Sequence, residues 1–123
     1  MTSYYIGKTA TLNVSVLGSN YDVYLDVNPE DDPILKDCDG YTDKTVRRIV
    51  VVDKAENSDL EDWTAYRKKV LRHEIIHAFL IESGISSCVK WDVQGEEHPE
   101  AMVDWIAVQF EKIHKAFVIA GAL

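Results

Sequence analysis

Arg72-His73-Glu74-Ile75-Ile76-His77-Ala78-Phe79-Leu80 carries the pattern His-Glu-x-x-His. On a helix, residues four apart share a face about one turn from each other. His73 and His77 can therefore offer two imidazole nitrogens to one ion. Zinc takes such nitrogens at roughly 2.0–2.1 Å, in a tetrahedral shell with room for a carboxylate and a water. Glu74 projects to the side of the pair, where it can reach a water without binding the ion. An ion that acidifies water, beside a carboxylate that takes its proton, suits metal-assisted peptide hydrolysis. Two histidines on an apolar helix face can also be hydrogen-bonded core residues.

Around this motif, Trp63, Tyr66, Val70, His73, His77 and Leu80 recur at helical spacing, not strand alternation. Ser58 or Asp59 can cap the start, and Glu61 and Asp62 suit its positive end. Gly84 is a C-terminal stop. The spacing predicts a helix over 60–83 with both histidines on its buried face.

Upstream, residues 8–17 alternate, with Leu12, Val14 and Val16 on one side. Gly18-Ser19-Asn20 is a turn, and residues 21–27 alternate again, so a hairpin is expected. Asn28 to Pro33 breaks the pattern and is expected to be a solvated acidic loop, with a negatively charged cleft wall as the alternative. Asp37-Cys38-Asp39-Gly40 is expected to be a turn. Residues 46–53 form the most β-branched run and are expected to be a central strand.

Downstream, residues 85–95 are expected to be a loop whose Trp91 packs over the first helix. A second helix is expected over 99–120, with Pro99 at its first position. Val103, Ile106, Ala107, Phe110, Ile113, Ala116 and Phe117 would form its apolar face, and His114 would lie at the surface or an interface. A zinc site here needs a third protein ligand. Glu100 and Asp104 are four apart, on the face flanked by Val103 and Ala107. Inward carboxylates are costly without compensating charge. A metal would compensate Glu100, and the free N–H of a ligand histidine would compensate Asp104. His98 is the alternative third ligand, ahead of Glu96 and Glu97. Acids in an exposed first helical turn are also favoured without any metal.

The 123 residues suit one domain, 1–123, with its own core. A net charge of −8 argues against a phosphate-binding surface, so no nucleic-acid partner is expected. The run at 116–123 is too short for a membrane span, and no export signal is visible at Met1 to Tyr4. A cytoplasmic protein with Cys38 and Cys88 reduced is expected. Its oligomeric state is not legible. There is no Gly-x-Ser-x-Gly elbow and no phosphate-binding glycine loop.

His73-Glu74-Ile75-Ile76-His77 followed by Glu100-Ala101-Met102-Val103-Asp104 resembles the gluzincin pattern, His-Glu-x-x-His joined by Glu-x-x-x-Asp on a later helix. Residues 73–84 and 100–110 also resemble small zincin-like metallopeptidases of phages and prophages. The resemblance implies an α+β minimal zincin: a small, mainly antiparallel three-stranded sheet packed on an active-site helix, plus a second C-terminal helix. It implies one zinc held by His73, His77 and Glu100, Glu74 as general base, and Asp104 behind a ligand histidine. A protein or peptide substrate would be hydrolysed. Larger gluzincins carry Asn before the ligand Glu, where this chain has Pro99, and they add an oxyanion donor. Tyr24, Tyr41, Arg47 and His98 are the candidates for that role here. Against the peptidase stand a zinc-binding module without turnover and a metal-free interaction domain.

Overall fold

The computed structural model describes residues 3–84 and 100–119, with side chains as far as 115. Strands β1 (Leu12–Val16) and β2 (Ser19–Val27) form the expected hairpin, with Val16 opposite Ser19. The connection is tighter than Gly18-Ser19-Asn20 suggested. Leu17 and Gly18 alone make the turn, at φ of 50° and 87°. Positive φ at both central residues matches the twist of the flanking strands.

Strand β4 (Arg48–Val52) lies in the sheet interior, between β2 and a short edge strand, β3 (Gly40–Asp43). The sheet is therefore four-stranded, in the order β1-β2-β4-β3, and not three-stranded as expected. The β1–β2 and β3–β4 pairs are antiparallel and β2–β4 is parallel. Gly-Tyr-Thr-Asp hides as a strand because it is short and its four residues are all half-buried. The turn expected at 37–40 thus ends before Gly40.

The β-branched run of β4 follows from burial on both faces. Ile49 and Val51 pack with Val16, Tyr21, Val23, Val70 and Ala78 on the helical side. Val50 and Val52 pack with Tyr5, Val27 and Leu35 on the other. That second layer absorbs part of the acidic loop. Pro33–Lys36 is a 3-10 turn, and Asp32 is buried at its start. The Asp32 carboxylate accepts hydrogen bonds from Tyr5 at 2.5 Å, from Ile34 N at 3.2 Å, and from Tyr41.

Helix α1 (Trp63–Glu82) begins later than expected. Its cap is Asp62, whose carboxylate accepts from Ala65 N at 2.9 Å, rather than Ser58 or Asp59. Gly84, at φ 81°, follows its end as expected. The buried stripe is rotated from the expected one: Val70, Glu74 and Ala78 are innermost, while Tyr66, His73 and His77 are half-buried beside it. Helix α2 (Glu100–Ile119) buries Val103 and Ala107. Phe110, expected in the core, is 51% exposed and stacks on the exposed ring of His114. Among the described residues no helix is long and apolar enough to cross a membrane. Trp91, Cys88, the acids at 96 and 97, His98 and Pro99 lie outside the described residues, as do the side chains of Ala116 and Phe117.

Candidate metal centre

α1 supplies the two histidines one turn apart, with ring centroids 4.9 Å from each other. α2 crosses so that its first residue, Glu100, reaches both. His73 Nε2 lies 2.8 Å from Glu100 Oε2, and His77 Nε2 lies 2.9 Å from Glu100 Oε1. One ligand atom from each of the three residues falls within 4.8 Å of the others, a grouping that could hold a metal ion.

The donor chemistry fits such an ion. His73 Nδ1 is 3.3 Å from Asp104 Oδ1. With Nδ1–H donating there, Nε2 is left with a lone pair facing the Glu100 carboxylate. Two acceptors that close repel unless positive charge lies between them. A proton on each imidazole, or one divalent ion shared by all three residues, satisfies the arrangement. Donors 2.0–2.1 Å from a tetrahedral ion stand about 3.3 Å apart, a little more than the two separations between histidine and Glu100.

Glu100 and Asp104 stand at the rim, not in the core: their side chains are 51% and 42% exposed. Lys69, one turn before His73, forms an ion pair with the same Asp104 oxygen. That ammonium, with some help from His73, holds the Asp104 carboxyl below its usual range. Arg72 Nε donates to the Ala107 carbonyl at 2.7 Å and ties the two helices together beside the site.

Glu74 is the most enclosed of the group, at 6% exposure. Burial pushes its carboxyl up to about 7, with Glu100 adding to the rise and the Thr42 hydrogen bond and His73 opposing it. Thr42 Oγ1 lies 2.9 Å from Glu74 Oε1. Beside these residues opens a cavity of about 600 Å³, walled by Gly40, Tyr41 and Thr42 of β3 and by His73, His77 and Glu100 of the helices.

Tyr66 and Asp39 also line this cavity and are hydrogen-bonded to each other, with Lys54 Nζ on Asp39 at 3.0 Å. Burial and the Asp39 carboxylate raise the Tyr66 phenol to about 12. The acidic loop at 28–33 contributes none of the described wall residues, so it is not the cleft wall considered for it.

The structure thus brings His73, Glu74, His77, Glu100 and Asp104 together. Of the expected oxyanion donors, only Tyr41 lines the cavity among the described residues, and its hydroxyl donates to Asp32 on the other face of the sheet. Tyr24 donates to the Lys8 carbonyl at 3.4 Å, and Arg47 pairs with Glu82 at 2.8 Å. The sequence reading missed Lys69 and Thr42. Lys69 was findable, being four residues before His73 on the same face. Thr42 carried no signal once its strand went unrecognised.

Compared with models of protein families, with curated proteins and with solved structures, the chain gives no match.

Proposed function

We propose that this protein is a small zinc-dependent peptidase of minimal zincin architecture. The observation that carries the reading is the convergence of His73, His77 and Glu100 on one point, with Glu74 lining the same cavity. When bound there, zinc supplies Lewis acidity, which makes water a nucleophile near neutral pH. The chain's own residues do the rest. Glu74 takes the proton of the attacking water and returns it to the leaving amine. A carboxyl lifted by burial suits a group that must both accept and release a proton near neutrality.

Asp104 fixes the ring of His73. The substrate would lie extended along β3, an edge strand of the described sheet beside α1, by adding main-chain hydrogen bonds to it. The open form of the cavity suits a flexible segment of a protein rather than a small molecule.

Zinc-loaded protein and its Glu74→Gln variant, tested against a peptide library, decide the role of Glu74. The variant is expected to keep its zinc and to lose activity by roughly 10²–10⁴-fold, the usual contribution of a general base. Equal cleavage by both would refute the assignment. If native protein holds one zinc and cleaves nothing, the site is a zinc-binding module without turnover.

A further inference from the structure

Glu74 is gripped from β3 at both ends of its own residue. Thr42 Oγ1 lies 2.9 Å from Glu74 Oε1 and 3.0 Å from the Glu74 main-chain oxygen. A hydroxyl has one hydrogen, so Thr42 donates to one of these two oxygens at a time while lying within hydrogen-bond distance of both. That contact ties the carboxylate back toward its own backbone and restricts the side-chain torsions between them.

Gly40 completes the seat. It lies two residues before Thr42, on the same face of β3. A Cβ at Gly40 would stand 3.4 Å from Glu74 Cγ, 3.0 Å from the Val50 oxygen and 2.8 Å from Val70 Cγ1. β3 therefore approaches α1 more closely than any larger residue at position 40 would permit. The strand itself is firmly placed, because Thr42 pairs with Ile49, whose side chain is fully buried.

We propose that Thr42 is a positioning residue for the general base: it holds Glu74 Oε1 and so leaves Oε2 for water in the cavity beside His73 and His77. This rests on the peptidase reading of Glu74. It also makes β3 a shared support, because the strand that seats the base is the edge along which the substrate would lie.

The test uses the full zinc-loaded chain with Thr42→Val and Thr42→Ser. Valine keeps the branched shape and removes the hydroxyl; serine keeps the hydroxyl. Thr42→Val is expected to bind the same zinc, to hold KM near the native value and to lose kcat by roughly 10–100-fold, the scale of a misplaced catalytic group. Thr42→Ser is expected to recover most of that loss. Crystal structures of the zinc-loaded variants supply a readout independent of turnover. The Glu74 carboxylate is expected in its native place with serine and displaced or split with valine. An unmoved carboxylate in Thr42→Val, or an unchanged kcat, overturns the proposal. If native protein cleaves no peptide, the peptidase reading falls, and the position of Glu74 in the two variants still decides whether Thr42 places it.

Discussion

Arg72 donates through Nε to the main-chain oxygen of Ala107 at 2.7 Å, a bond between the two helices one residue from the first histidine. Ala107 is fully buried in α2, two turns beyond Glu100. The bond therefore fixes how α2 lies against α1, and hence how far Glu100 stands from His73 and His77. Arg72→Met is expected to destabilise the fold by roughly 1–2 kcal/mol, the net worth of such a hydrogen bond. It is also expected to weaken zinc binding although Arg72 donates nothing to the ion. Urea unfolding and zinc titration of native and variant protein check both effects; unchanged zinc affinity would leave Arg72 with a purely structural role.

Asp104 acts on the ion through His73. Loss of a carboxylate behind a ligand imidazole typically costs 10–100-fold in metal affinity. Asp104→Asn is expected to fall in that range while still binding zinc, whereas His73→Ala abolishes binding. Competition with a chromophoric chelator measures the difference. Native affinity in Asp104→Asn would show that the 3.3 Å contact does not tune the ligand.

Gly40→Ala tests the closeness of β3 and α1. The new methyl would meet Val70 Cγ1 at 2.8 Å and the Val50 carbonyl at 3.0 Å, and main chain cannot swing aside as a side chain does. Overpacking of this kind costs about 1–3 kcal/mol. A lowered urea midpoint with an unchanged slope is the expected result. A variant as stable as the native chain would mean that the strand shifts freely.

Much of this arrangement was legible from residue spacing. The four-residue interval of His73 and His77, and that of Glu100 and Asp104, needed only helical geometry, and helices are long enough for their period to show. The β-branched run at 46–53 announced a central strand, and the structure places Arg48–Val52 inside the sheet. β3 was not legible: four residues, with a glycine at the start and no alternation, resemble a turn until β4 is present to pair with them. The buried role of Asp32 was hidden for a related reason. Its hydroxyl partners, Tyr5 and Tyr41, are distant in sequence and meet only across the second face of the sheet.

Acid is expected to loosen the C-terminal end of α1. The Arg47 guanidinium, with the Tyr21 and Ser19 hydroxyls, holds the Glu82 carboxyl at about 2, well below its ordinary 4.5. The folded state therefore favours the carboxylate. Its stabilising contribution is present above pH of about 4.5 and is lost as pH falls toward about 2. Glu82→Gln should remove this part of the pH dependence, so native and variant unfolding curves converge in acid. Parallel curves across that window would assign the acid sensitivity elsewhere.

Three side chains meeting around one divalent ion define the proposed centre, and metal content measures this most directly. Elemental analysis of purified protein after zinc loading and dialysis is predicted to give one zinc per chain, with little or none retained by His77→Ala or Glu100→Ala. No zinc above background in the native protein, or full occupancy in Glu100→Ala, would contradict it.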